Sequence, residues 1–123
     1  MCLSLSLWNF SSKVASEDII CYKTLAKIEY PKIGIVYYKT PYMGVLIDIG
    51  FTYTSKLKRS GFTIEDGLHS FKHAYDTHLA NSCWRSVVSV QCVIPKGSKY
   101  YKGTFLGADS YASSQLIYVK IIE

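Results

Sequence analysis

The sequence predicts an α+β domain in which a mainly antiparallel sheet carries one substantial helix, residues 70–81. Three observations lead there. Apolar and polar residues alternate with period two through several β-rich runs, the mark of strands with one buried face. Gly, Pro and Ser separate these runs at short intervals, as in hairpins. One stretch alone changes period: Phe71, Ala74, Tyr75, His78 and Leu79 recur at spacings of three and four, a helical stripe. With 123 residues, 49% hydrophobic and 19% charged, the chain is expected to form a single domain, 1–123, rather than a disordered segment.

The elements follow in order. Leu3, Leu5 and Leu7 alternate with Ser4 and Ser6, so residues 1–10 read as an edge strand able to pair with a partner. The stretch lacks the basic start and unbroken apolar length of a signal peptide or membrane span. Asp18 to Leu25 and Ile33 to Lys39 are strands, the second bounded by Pro31 and Pro41. Tyr42 to Thr54 holds one or two more, with Gly44 and Gly50 as bends. Lys56 to Arg59 is a solvated basic stretch. Ser70 N-caps the predicted helix, which packs Phe71, Tyr75 and Leu79 on the sheet. Trp84 to Ile94, Lys99 to Phe105 and Gln115 to Ile122 complete the strands, Pro95 stopping the first.

Fourteen Lys and Arg against nine Asp and Glu give a net charge of +5, which permits an anionic partner. Only Arg59 and Arg85 are arginines, a poor equipment for sequence-specific DNA reading. No Walker loop surrounds Lys96-Gly97-Ser98-Lys99. Cys2, Cys21, Cys83 and Cys92 form no CxxC pair and read as free thiols of a reducing cytoplasm. His69, His73, His78 and Cys83 match no zinc spacing. No nucleophile motif surrounds Cys83 or Cys92. Glu65 and Asp66, being adjacent, point apart, and Asp109 is read as a turn-former. Hence no catalytic residue, metal or cofactor is expected.

Eleven Tyr among eighteen aromatics is the unusual number. Tyr supplies a stacking face and a hydroxyl at low entropic cost. Tyr100 and Tyr101, flanked by Lys99 and Lys102, together with Tyr22 and Lys23 on an early strand, form the candidate ligand site. Rings would stack a base while ammonium groups hold phosphate. The competing reading is a hairpin whose Tyr side chains pack on alternate faces.

The run Cys92-Val93-Ile94-Pro95-Lys96-Gly97-Ser98-Lys99-Tyr100-Tyr101-Lys102-Gly103, followed by Tyr111-Ala112-Ser113 and an apolar last strand, resembles small uncharacterised proteins of bacteriophages and prophages. So do Lys13-Val14-Ala15, Ile20-Cys21-Tyr22-Lys23 and Gly67-Leu68-His69-Ser70-Phe71-Lys72, where Leu68 replaces the usual phenylalanine. The resemblance implies a setting, the cytoplasm of an infected bacterium or the virion. A fainter likeness, to the ADP-ribosyltransferase-like fold, rests on the order of a Tyr-bearing strand, a central helix after a Gly-aromatic turn and later β-rich segments; Tyr22 stands where some members carry Arg or His and Tyr111-Ala112-Ser113 only hints at Ser-Thr-Ser, so the likeness implies a nucleotide-shaped cleft without turnover.

The expected function is therefore that of a non-catalytic phage accessory protein sequestering a small anionic, nucleotide-type host signal, as a homo-oligomer. The alternatives are a virion or docking protein, bound to a phage or host protein and recognisable by an exposed apolar or Tyr-rich patch, and a degenerate ADP-ribosyltransferase-like enzyme.

Overall fold

The computed structural model describes residues 3–6, 11–40, 44–80 and 86–122. Thirteen strands lie among them: β1 (Leu3–Ser4), β2 (Lys13–Val14), β3 (Ile19–Tyr30), β4 (Ile35–Lys39), β5 (Leu46–Ile47), β6 (Thr52–Thr54), β7 (Lys58–Ser60), β8 (Thr63–Asp66), β9 (Leu68–Phe71), β10 (Val87–Ile94), β11 (Lys99–Phe105), β12 (Ala108–Ser113) and β13 (Gln115–Ile121). They form one antiparallel sheet in the order β6-β13-β10-β3-β9-β12-β11-β1-β8-β7, curled into a half-barrel. Off this path, β2 pairs with β11, β4 with β3, and β5 with β4.

β3 and β10 make the spine. Their register sets Cys21, Lys23 and Leu25 opposite Cys92, Val90 and Val88, and directly opposed side chains share a face. This inner face holds the main core, which adds Tyr111 from β12 and Leu116 and Tyr118 from β13. The segment between β5 and β6 packs Ile49 against this core, and there the Gly50 amide donates to the Tyr118 carbonyl and the Asp48 amide to the Tyr53 hydroxyl. On the outer face two smaller clusters form: Leu3, Leu5 and Ile64 against Ala112, and Phe71 with Ala108. Between β11 and β12, Leu106 (φ 50°) and Gly107 (φ 83°) make a two-residue loop with both φ positive, the geometry that suits hairpin twist.

The predicted helix over 70–81 is not formed, and the fold is mainly β instead of α+β. Ser70 and Phe71 belong to β9, where Ser70 pairs with Tyr111 and Phe71 with Ser110. Only a 3-10 helix, Ala74–Ala80, follows, and Asn81 lies outside the described residues. The physical reason is competition for Ser70 and Phe71: β9 gives their backbone groups ladder partners on β12 and buries Phe71 to 2% exposure. What remains is a short run rich in Tyr, Asp, Thr and His, weak helix formers. Tyr75, expected in the core, is 72% exposed.

The N-terminal strand also finds its partners within the chain. Leu3–Ser4 lies between β11 and β8. Of the predicted edge strand, residues 1–2 and 7–10 are outside the described residues, and Leu5 and Ser6 continue past β1 without strand structure. Gly103 makes this docking possible, since a Cβ there would overlap the Ser4 carbonyl and reach within 3.0 Å of Leu3 Cγ. Gly103→Ala is therefore expected to cost about 1–3 kcal/mol through overpacking, read as a lower urea midpoint. Gly97→Ala provides the comparison: open space surrounds that position, but its φ of 90° confines the cost to backbone strain.

Candidate functional site

Each residue of a strand has two edges. Ala26 pairs with Val87 of β10 and with Lys39 of β4, while Tyr22 pairs with Gln91 of β10 and with Phe71 of β9. β4 and β9 therefore share the same edge of β3 and part from each other at Lys23, Thr24 and Leu25. Side chains fill this fork. The Lys23 ammonium donates to the His69 carbonyl at 2.8 Å, and the Thr24 hydroxyl donates to the Thr77 carbonyl. The Thr77 hydroxyl in turn lies 2.7 Å from Ser89 Oγ. An open hollow of about 140 Å³ sits there, lined by Thr24, Thr77, His78, Val87, Val88 and Ser89.

On the inner face a polar row crosses four strands. Tyr111 is paired with Ser70 on one side and with Lys102 on the other. Lys23, one residue past the Tyr22–Phe71 bridge, falls beside Ser70. At roughly 4.8 Å per strand, the Cα atoms of Lys23 and Lys102 are about 14 Å apart. Tyr100, on the same face as Lys102, meets Tyr111 edge-on with ring centroids 6.0 Å apart. The Ser70 hydroxyl is buried without a hydrogen-bond partner of ordinary geometry and faces the Cys21 thiol.

The electrostatics of the row follow from burial. Loss of water lowers the Lys23 pKa, the neighbouring sulfurs Cys92 and Cys21 opposing the shift. Burial pushes the Cys21 thiol up to about 11 and the Cys92 thiol further, so neither is an activated nucleophile at neutral pH. The Tyr111 phenol is likewise raised by burial. On the opposite face, burial and the charge of Lys23 lower His69 to about 4. Its Nε2 is buried with no partner among the described residues.

Of the six predicted ligand residues, Lys23, Tyr100 and Lys102 share the inner face, and the structure supplies Tyr111 and Ser70 between them. Tyr22, Lys99 and Tyr101 project from the other face; Tyr101 packs on the Leu3–Ile64 cluster. Alternation along a strand makes this unavoidable, since Tyr100 and Tyr101 are neighbours in sequence and cannot stack on one ligand. Tyr111 and Ser70 were missed as ligand candidates because their adjacency to Lys102 depends on the β9–β12–β11 register. His69, His73 and His78 do not converge: His69 is buried in β9, His73 stacks on Tyr75, and His78 Nδ1 contacts the Tyr75 carbonyl at 2.6 Å. Cys83 lies outside the described residues, and no group of three metal-ligating side chains occurs among the described ones.

Fold and row together define an antiparallel β protein with a Lys- and Tyr-bearing inner face. No family model, curated protein or solved structure matches the chain.

Proposed function

We propose that this chain is a non-catalytic binding protein for a small anionic molecule with a planar ring, taken on Tyr100 and Lys102 at the half-buried end of the inner-face row, with the buried Tyr111 and Ser70 behind them. The carrying observation is that Lys102 and Tyr100 share one face of β11 and that Tyr100 is braced edge-on by Tyr111. Charge-assisted contacts to phosphate and edge or face contacts to a ring each contribute about 1–3 kcal/mol. A few of them reach micromolar affinity. In the phage setting that the sequence resembles, such a ligand is a nucleotide-type host signal, sequestered without turnover. Calorimetric titration with cyclic dinucleotides and ADP-ribose tests this. Binding is expected to weaken at least tenfold in Tyr100→Ala/Lys102→Ala and to persist in Tyr101→Ala, whose ring faces the other side. No heat from any of these ligands, or equal loss in both variants, counts against it.

A second reading, docking to another protein, is favoured by one specific feature. Where β3 and β4 extend past β10 they carry Tyr30, Ile33, Ile35 and Val36, each 48–68% exposed. Tyr30 and Tyr37 stack there at 6.0 Å, with the Lys39 ammonium 5.6 Å from the Tyr37 ring. If this ribbon joins copies of the chain, light scattering gives a mass above 13.9 kDa that Ile35→Asp returns to the monomer value.

A further inference from the structure

The central strands place two thiols directly opposite one another. Cys21 and Cys92 are cross-strand partners on the inner face, both fully buried and both reduced. The Lys27 amide donates to the Ser86 carbonyl at 3.0 Å. In the same register, every second pair along β3 and β10, Cys21 with Cys92 included, is of the hydrogen-bonded kind. Cα atoms in such pairs are roughly 5.5 Å apart, inside the range of about 4.4–6.8 Å that a disulfide spans. Cβ atoms in directly opposed pairs are roughly 4.5–5.5 Å apart, wider than the ~3.8 Å of a bridged pair. Closing the bond must draw the strands together locally.

We propose that Cys21 and Cys92 form a redox modification site, a dithiol that small organic disulfides oxidise to a strained and readily reduced cross-strand disulfide. In the first step the Cys21 thiolate attacks one sulfur of the reagent, forming a mixed disulfide and releasing one thiolate. In the second, the Cys92 thiolate attacks the Cys21 sulfur and expels the other half. Two protein thiols lose two protons and two electrons, and the reagent is reduced to two thiols. The strain of closure places this bond among the labile disulfides instead of the inert structural ones.

Access comes from the fork. On its β9 side β3 is held by one ladder bridge, Tyr22 to Phe71, and by the Lys23–His69 hydrogen bond, so this edge opens at lower cost than the eight paired positions shared with β10. Opening it uncovers Cys21, the first attacking group, while β10 keeps Cys92 in register. Burial keeps both thiols protonated in the closed sheet at neutral pH, so oxidation waits on opening of this edge and accelerates as rising pH supplies thiolate.

The test uses the full chain carrying Cys2→Ser and Cys83→Ser, which leaves this pair as the sole thiols. Folded protein is incubated with oxidised glutathione at pH 8.5, and thiols are counted after denaturation. Two thiols are expected to disappear with the loss of two hydrogens in mass and no added glutathione, the chain staying at its starting oligomeric state. Dithiothreitol should restore both. Adding Cys92→Ser should stop the reaction at one glutathione adduct on Cys21. Peptide mapping of the oxidised wild-type chain provides the second readout, a crosslink between the Cys21 and Cys92 peptides. Two thiols that persist in the folded chain, although the same reagent oxidises the urea-unfolded chain, would overturn the proposal. So would disulfides found only between molecules.

Discussion

Phe71→Ala is expected to remove about 3–5 kcal/mol of stability, the range for truncating a buried aromatic ring. Phe71 is 2% exposed, meets Phe105 edge-on at 5.9 Å, packs with Ala108, and supplies the single bridge between β9 and β3. Domains of this size hold roughly 5–15 kcal/mol in total, so the loss should be plain as a lowered urea midpoint. Phe71→Leu keeps most of the volume and should cost about 1.5 kcal/mol or less. The comparison that decides the matter is Tyr75→Ala. A helix over 70–81 would bury both rings on one face, whereas here Tyr75 is 72% exposed and stacks on His73. Its truncation should cost no more than about 0.5 kcal/mol. Similar losses at the two positions would speak for the helix.

Acid should destabilise the protein through His69. Its folded pKa, about 4, lies below the ordinary value of 6.5, because the ring is buried and Lys23 repels its charged form. Between those two values the unfolded chain takes up a proton that the folded chain refuses. Stability is therefore unaffected by this group above pH 6.5, falls as the pH drops from 6.5 to about 4, and levels off below. At 1.36 kcal/mol per pKa unit the loss is roughly 3 kcal/mol. His69→Leu removes the titration and the unpartnered Nε2 together. Urea unfolding at pH 7, 5.5 and 4 should show the wild-type chain losing roughly 3 kcal/mol more than this variant over that range. Carboxylates titrate in both chains and cancel in the difference. Lys23→Met should shrink the gap in part, since it removes the charge facing His69. Parallel pH profiles for wild type and His69→Leu would exclude His69 as the source.

The Lys23–His69 pairing shows where reading the chain stops. Strands were legible wherever alternation was strong: Val88, Val90 and Cys92 share one face of β10 in the sequence and in the fold, whereas in β3 the consecutive residues Thr24, Leu25 and Ala26 are all buried. The 70–81 segment misled because spacings of three and four describe a helical stripe equally well as a strand end followed by a 3-10 helix. Local pattern contains no information about whether β12 is present to pair with Ser70 and Phe71.

By itself, the sequence determined composition, charge and, within the strands it marks, that neighbouring residues point to opposite faces, since these depend on identity and period alone. It thereby already separated Tyr100 from Tyr101 and Tyr22 from Lys23. Only the tertiary structure decided which strands are neighbours. The row Lys23, Ser70, Tyr111 and Lys102 joins positions up to 79 residues apart by number, and the Cys21–Cys92 pair depends on the β3–β10 register. Both are non-local pairings, fixed by burial of a shared apolar face across the whole sheet, where a one-residue slip would turn every side chain to the opposite side.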